Sequence, residues 1–415
     1  MRPATCRHRR FGGLPLGIGV SRGAGRYHGG GASRPTFCFS QTPRRPQPTG
    51  GGLGLANWFQ GGGGRSGGRR QAVRDLAALP KAHLHLHFTG SMRLATVTAL
   101  AARRGIRLPR GLTEHRAVAL SADQRGWFRF QRLYDAARSV LTSEDALRRV
   151  VREAAQDDAA EGSGRLELQI DPTTYGPHVG GITPALEIVL DEAAAASAAS
   201  GVEVGIVVAA SRLRHPLEAR TLARLAARHA GQGPGQVVGF GLSNDERRGE
   251  TAEFAPAFRI ARAAGLASLP HGGELLGAQH AAEVARLLRP DRIGHGVRAA
   301  EDPAVLARLV DSGVAFELCP LSNVALGVYP DAAAVPVRAI ARAGAQIALA
   351  ADDPLIFGSR LVDQYRALRQ VHGFTDPELA GLARASVLAS RASAASKRRL
   401  ERGIDQWLAA PAPGP

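Results

Sequence analysis

The sequence predicts an α/β fold, a (β/α)8 barrel of the TIM type, on three observations. From residue 75 onward, short apolar or β-branched runs alternate with longer Ala/Leu/Arg patterns of helical period, which is typical of parallel βα units. Eight such runs can be counted, as a closed barrel requires. No Gly-x-Gly-x-x-Gly follows the first run, which disfavours a doubly wound open sheet.

The eight strand candidates are separated by segments long enough to hold a helix. They cover residues 82–87, 165–170, 202–210, 236–241, 266–270, 291–294, 314–318 and 346–350. A long insertion at 93–164, after the first strand, has a helical pattern, and "WFRFQRLYDAARSVL" is its most aromatic piece. Since catalytic residues of such barrels lie at the C-terminal ends of the strands, we expect this insertion to act as a lid.

The first 72 residues differ in composition from the rest of the chain. Residues 1–70 hold twelve arginines, no acidic residue and 19 of the 50 glycines, and they supply +12 of the net charge of +17. Such a segment cannot bury enough apolar surface to offset chain entropy, so we predict a disordered tail at 1–72 and a barrel domain at 73–410. The tail could bind RNA non-specifically, or it could be upstream sequence joined by a misplaced start, with Val73 as the alternative start; we favour the second.

Chain length, apolar runs and cysteine count further limit the kinds of protein that this sequence can encode. The 415 residues suit one barrel of about 250–350 residues plus extra segments. No run reaches the roughly 18 apolar residues of a membrane helix, and no secretory signal is evident. Cys319 is the one cysteine outside the tail, which excludes a disulfide framework in the barrel. We therefore expect a cytoplasmic protein; the sequence does not indicate an oligomeric state.

The first strand carries three histidines in "LPKAHLHLHFTG". Because side chains alternate along a strand, His83, His85 and His87 would face one side and converge. Taken alone, the pattern also fits a hydrogen-bonded polar strand face or an accidental nickel-binding patch. Residues at the ends of the other strands are needed to decide between these alternatives.

Polar residues also follow three other strands. His271 and Glu274 ("PHGGE") follow the fifth, His295 ("GHG") the sixth, and Asp352 and Asp353 ("ADDP") the eighth. In isolation these stretches fit a glycine turn, a core histidine and a helix N-cap. Together, several histidines and a carboxylate on one rim predict a divalent metal, zinc before others, with one ligand position left for water.

These residues resemble the adenosine deaminase family, within the amidohydrolase-type metal-dependent barrels. The successive stretches "PKAHLHLHFTG", "HGGE", "RIGHGV", "CPLSNVALG" and "ADDPLIFGS" are similar to the family's motifs in order and spacing, over residues 77 to 408. The resemblance implies hydrolytic deamination, in which water replaces the amine on a purine carbon. The other zinc deaminase architecture needs a Cys-x-x-Cys, which this sequence lacks.

The resemblance also implies roles for individual residues. The matching zinc ligands, for one Zn²⁺ per chain, are His85, His87, His271 and Asp352. Glu274 matches the acid that protonates the purine ring, and His295 the histidine that orients and deprotonates the attacking water. Asp353 matches the carboxylate that hydrogen-bonds purine nitrogen 7.

Four positions depart from the family pattern. His83 replaces a usual glutamate, Gln169 a common arginine, and Asn244 a glycine that usually contacts the purine. Thr89 stands where adenosine-specific members have an aspartate for the ribose 5′-hydroxyl. A threonine offers that hydroxyl no charged acceptor, so these departures disfavour plain adenosine as the substrate.

One branch of the family acts on 6-aminodeoxyfutalosine, an adenine nucleoside of menaquinone biosynthesis whose 5′ carbon extends to a benzoate. "HFTGSMR" and "WFRFQRLYDAAR" resemble that branch, so we expect this substrate first, adenosine second and adenine third. The candidate cations for the benzoate are Arg93, Arg129 and Arg132, although each could also be an ordinary surface arginine. A non-enzymatic alternative is an RNA-binding protein whose barrel is a scaffold for the basic tail.

Overall fold

In the computed structural model, residues 74–113 and 118–411 are described, and they form an eight-stranded parallel barrel. The strands, β1 to β8 in chain order, are Lys81–His87, Ser163–Ile170, Glu203–Ser211, Val237–Ser243, Ala267–Gly272, Arg292–His295, Ala315–Leu318 and Ile347–Leu349. Each strand pairs with its neighbours in sequence. The predicted (β/α)8 barrel is therefore confirmed, whereas the predicted tail at 1–72 and the alternative start lie outside the described residues.

Helices follow the strands as the alternation predicts. In the described ranges they are, as α1 to α16, Leu94–Arg103, Arg110–Thr113, Gln124–Arg138, Glu144–Ala160, Gly176–Val179, Ile182–Ser200, Pro216–Arg228, Thr251–Ala263, Ala278–Leu288, Pro303–Asp311, Pro320–Ala325, Val337–Arg342, Pro354–Phe357, Leu361–Gln370, Asp376–Ala389 and Ala394–Ala409. The insertion after β1 consists of α1 to α4, so its helical character is confirmed. None of the helices in these ranges is both long and apolar enough to cross a membrane.

Several helices begin and end at residues whose chemistry fixes the boundary. The Ser143 hydroxyl accepts a hydrogen bond from the Ala146 N–H and caps α4. Thr375 and Glu378 form a reciprocal capping box at the start of α15. Helix α6 ends at Gly201, whose φ of 75° is accessible to glycine at little cost.

The barrel closes through two short seams. Strand β5 pairs with β6 through two residue pairs, His271 with Gly294 and Gly272 with His295. Between β8 and β1 the link is a single bridge, in which the His87 N–H donates to the Asp352 carbonyl at 3.0 Å. Both seams contain residues predicted for the site, which places those residues at one end of the barrel.

Candidate active site

Four side chains predicted as metal ligands meet at the C-terminal end of the barrel. His85 and His87 lie on β1, His271 on β5, and Asp352 just after β8. The Nε2 atom of His87 lies 3.2 Å from His85 Nε2, 3.3 Å from His271 Nε2 and 3.1 Å from Asp352 Oδ1. Ligand atoms that surround one zinc tetrahedrally are about 3.3–3.5 Å apart, and the three distances from His87 are close to that spacing. Mutually close donors form two groups that share His85, namely His85, His87 and Asp352, and His85, His271 and His295. We call the four predicted ligands the ligand cluster.

His83, the histidine of β1 outside the ligand cluster, has a different environment. His83 Nδ1 lies 3.0 Å from Asp158 Oδ1, and its Nε2 accepts the Ala351 N–H at 3.0 Å. Both ring nitrogens are therefore used inside the barrel, where His83 is 1% exposed. The hydrogen-bonded interpretation of the "HLHLH" pattern therefore applies to His83, whereas the metal-ligand interpretation of His85 and His87 stays a prediction.

A chain of buried ion pairs leads from His85 of the ligand cluster to Arg165 on β2. His85 Nδ1 lies 2.8 Å from Glu317 Oε2, which fixes the ring so that Nε2 faces the cluster. Arg292 donates to both Glu317 and Glu167 at 2.6 Å, and Arg165 donates to Glu167. All five side chains are at most 1% exposed. Because each charge has a partner, burial of the chain avoids an uncompensated ion.

Two carboxylates, Asp352 and Glu317, lie beside His85 and favour positive charge at this position. Burial lowers the pKa of His85, but hydrogen bonds to Asp352 and Glu317 outweigh it and raise the pKa to about 10. Asp352 also accepts a hydrogen bond from the Ser322 hydroxyl at 2.5 Å. Its φ of 64° is left-handed, as is the φ of 60° at His295, and non-glycine residues adopt this conformation at a cost. The local backbone is therefore strained where it presents site residues.

Glu274 and His295 lie beside the ligand cluster with opposite protonation preferences. His295 Nε2 is 3.5 Å from Glu274 Oε1, and both residues are buried. Burial and the nearby Asp352 carboxylate hold the pKa of Glu274 well above its usual range, so this carboxyl keeps its proton. Burial lowers the pKa of His295 to about 4, which keeps the imidazole neutral. The pair therefore contains one proton donor and one potential acceptor.

Asp353, next to Asp352 in the chain, lines the cavity at the ligand cluster. Its Oδ1 atom is buried and has no hydrogen-bond partner within the described residues. Burial and the adjacent Asp352 charge raise the pKa of Asp353 well above its usual range, so it too is a protonated carboxyl. A buried donor without a protein partner, in a cavity wall, is suited to bind a ligand acceptor.

Gly90 makes room for Asp353. A Cβ atom at position 90 would lie 1.7 Å from Asp353 Oδ1 and 2.5 Å from its Cγ, so any larger residue must displace that carboxyl. We expect Gly90→Ala to lower kcat/KM by on the order of 10²-fold, because small misplacements at a reacting centre are that costly. The measurement is a steady-state assay with metal analysis. Gly381→Ala is the control, since nothing lies within 4 Å of its added Cβ; equal activity of the two variants would contradict the prediction.

A cavity of about 470 Å³ opens above the ligand cluster, within the range of small-molecule sites. Helix α3 forms one wall through Trp127, Gln131, Tyr134 and Arg138. The lid expected from the insertion therefore contributes directly to the cavity wall. Gln169 and Asn244, two of the departures from the family pattern, also line the cavity.

The structure does not bring all the predicted substrate residues to this cavity. Thr89 is fully buried behind the wall, where its hydroxyl contacts Tyr175 OH at 2.6 Å. Arg93 donates to Asp157 at 2.7 Å. Arg129 and Arg132 are exposed and point away from the cavity, because they fall on the outer face of α3. The arginine prediction is therefore wrong in its residues; Arg138 and Arg214 line the cavity instead.

Sequence reasoning missed two supporting carboxylates, Glu317 and Glu246. Glu317 lies on β7, in the candidate strand "VAFEL", where a charged residue inside an apolar run was the available signal. Glu246 follows β4 in "GLSNDE" and accepts hydrogen bonds from the loop that holds Glu274. Nothing in its local sequence distinguishes it from an ordinary loop acid.

Comparisons with known proteins agree with this geometry. The family model described as adenosine deaminase matches residues 80–407. A Streptomyces coelicolor protein, provisionally named as an adenosine/adenine deaminase, is 56% identical over 345 residues, 82% of this chain and 100% of the relative. An adenine deaminase of Agrobacterium fabrum is 33% identical over 323 residues, 78% of this chain and 97% of the relative.

A solved structure extends the comparison to three dimensions. The crystal structure of an adenine deaminase from Arthrobacter aurescens superposes with a TM-score of 0.73 at 30% sequence identity. The match covers 80% of this chain and 100% of that one.

Proposed function

Because the chain belongs to the adenosine deaminase family and is a hydrolytic deaminase, we propose that it removes the 6-amino group of an adenine ring, with free adenine as the first substrate. One observation carries the proposal: the carboxyls of Glu274 and Asp353 both line the cavity above the ligand cluster, and both have raised pKa values. In adenine, nitrogens 1 and 7 are hydrogen-bond acceptors that flank the carbon bearing the amine. Two donors therefore match the two acceptors while that carbon faces the cluster.

The proposed cofactor is one Zn²⁺ per chain, held by the ligand cluster. Three imidazole nitrogens and one carboxylate oxygen are ligands that zinc accepts, and the distances from His87 to the other three donors suit a shared ion. When bound, such an ion lowers the pKa of water so that water can attack at neutral pH. The remaining steps fall to the side chains around it.

We assign those steps by protonation state. The neutral imidazole of His295 takes the proton from the attacking water, and Glu274 gives its proton to nitrogen 1 of the ring. For His295 to act in this way, the Asn323 amide, whose nitrogen lies 3.2 Å from Nδ1, must turn over to present its oxygen there, which leaves Nε2 able to accept a proton. Asp353 donates to nitrogen 7 and fixes the ring. The water oxygen adds to the ring carbon as these protons move. The proton held by His295 then passes to the amine, the C–N bond breaks, ammonia leaves, and the proton of the new hydroxyl returns to Glu274, which leaves a C=O bond.

Two observations support adenine ahead of adenosine. Thr89, at the position of the 5′-hydroxyl acceptor, is fully buried and already bonded to Tyr175, so it is not free to bind a ribose. In addition, the Agrobacterium fabrum and Arthrobacter aurescens relatives are named adenine deaminases. The comparisons thus change the order of substrates expected from the sequence.

6-Aminodeoxyfutalosine is the second candidate, favoured by the shape and charge of the cavity. The cavity of about 470 Å³ extends from the ligand cluster to Arg138 and Arg214. An arginine in the wall of this cavity suits a benzoate on a 5′ extension of the substrate. However, Arg138 is paired with Asp135, and Arg214 lies 3.3 Å from Glu218, so a substrate carboxylate must compete with both acids.

The test is a side-by-side measurement of kcat/KM for adenine, adenosine and 6-aminodeoxyfutalosine by the absorbance change on deamination. We expect adenine to exceed adenosine by roughly five- to a hundredfold, since a ribose 5′-hydroxyl that is buried in the cavity without an acceptor loses its hydrogen bonds to water, at a cost of about 1–3 kcal/mol. A higher value for 6-aminodeoxyfutalosine than for adenine would promote the second candidate. Equal values for adenine and adenosine would contradict the argument from Thr89.

A further inference from the structure

We propose that Glu246 is a positioning residue for the general acid: its carboxylate gathers three successive backbone N–H groups and so fixes the loop from which Glu274 reaches the ligand cluster. The inference rests on the proposed function, because it gives Glu274 the role of proton donor. Two loops are in contact here: residues 273–276, which follow β5, and the loop after β4, which carries Glu246.

The contacts are numerous for one side chain. Glu246 accepts the N–H of Glu274 at 3.1 Å, of Leu275 at 2.9 Å and of Leu276 at 2.8 Å. Successive N–H groups that converge in this way form a nest for an anion. The nest follows Gly273, whose φ of 71° turns the chain, and Glu246 is 3% exposed. The loop therefore takes its shape around a charge that the protein itself supplies.

The same contact has an electrostatic consequence. His280, whose Nδ1 lies 3.5 Å from Glu246 Oε2, and the N–H groups of the loop outweigh burial and lower the pKa of Glu246, so it is ionised. Its negative charge, after burial and Asp352, raises the pKa of Glu274. One carboxyl of the pair thus keeps its proton because the other has lost its own, which is how neighbouring acids divide roles. The other titratable groups that face Glu274 are His85, His295, Asp352 and Asp353.

Two variants separate the geometric and the electrostatic parts. Glu246→Gln removes the charge and turns an amide N–H toward the loop, whereas Glu246→Asp keeps the charge on a shorter side chain. We expect Glu246→Gln to keep wild-type metal content, to lose on the order of 10²-fold in kcat, and to move the alkaline limb of the pH profile of kcat/KM to lower pH. The direction follows because loss of a negative neighbour lets Glu274 ionise more readily. Glu246→Asp should lose kcat with the alkaline limb unmoved.

The measurements are metal analysis, steady-state kinetics across pH with the substrate that the wild type prefers, and hydrogen exchange at the amides of residues 274–276. Exchange should accelerate in Glu246→Gln even if no turnover is seen, which keeps this test independent of the proposed function. Glu253→Gln, an exposed glutamate on α8, is the control and should match the wild type. Wild-type kcat, an unmoved alkaline limb or unchanged exchange in Glu246→Gln would each overturn the inference. A wild type that deaminates none of the three substrates would overturn the proposed function instead.

Discussion

Glu274→Gln should retain one metal per chain and lose at least roughly 10²–10⁴-fold in kcat, the contribution typical of general acid catalysis. The reason is that an amide of the same shape cannot protonate the purine ring. Glu274 contacts His295 at 3.5 Å and is not a member of the ligand cluster, so the donor set for the metal stays complete. The measurement combines metal analysis of the purified variant with steady-state and single-turnover assays.

A loss of activity in Glu274→Gln has to be distinguished from a loss of stability. The thermal unfolding of Glu274→Gln should match the wild type or improve on it, because a buried carboxyl with a strongly raised pKa is replaced by a neutral group. Turnover near the wild-type rate would remove Glu274 from the role of acid. Loss of metal would instead move Glu274 into the ligand set.

His87→Ala should lose both metal and activity, while His83→Ala should keep the metal. The two histidines are four residues apart on β1, but His87 Nε2 lies within 3.3 Å of three other ligand atoms, whereas His83 is bonded to Asp158 and the Ala351 N–H. Removing one of four ligands lowers zinc affinity steeply. Removing His83 leaves a buried carboxylate and a buried N–H unpaired, which costs about 1–3 kcal/mol of stability for each.

The pair of variants is therefore a matched test of the two histidine environments. Metal content is measured after dialysis at fixed zinc concentration, and the melting temperature is followed in parallel. We expect His87→Ala to be depleted of metal and His83→Ala to melt at a lower temperature with stoichiometric metal. The reverse pattern would show that the wrong histidine of β1 has been assigned to the ligand cluster.

The fold was predictable from the sequence because parallel strands buried on both faces leave short apolar runs. The predicted 314–318 and 346–350 nearly coincide with β7 and β8. Strand β8, Ile347–Leu349, is one residue shorter than predicted at each end, and the left-handed turn that follows it at Asp352 was not predicted. Such a turn depends on contacts with Ser322 and β1, which lie far away in sequence.

The candidate site was predictable in part. The seven residues proposed as ligands or proton carriers come together, because each lies at or just past a strand end where the barrel brings those ends to one rim. Their roles stay predictions. The arginines were placed wrongly because position in the insertion was used without the helical period: Trp127, Gln131, Tyr134 and Arg138 share the inner face of α3, which excludes Arg129 and Arg132.

The two short seams of the barrel have a consequence for folding cooperativity. They divide the strands into an arc of five, β1 to β5, and an arc of three, β6 to β8. His85, His87 and His271 belong to the larger arc, and Asp352 follows the last strand of the smaller one. An ion held by all four residues would therefore join the two arcs. Its binding free energy would stabilise only the closed barrel, because the separated arcs cannot assemble the donor set. Partial unfolding that detaches β6 to β8 is thus coupled to loss of the cofactor.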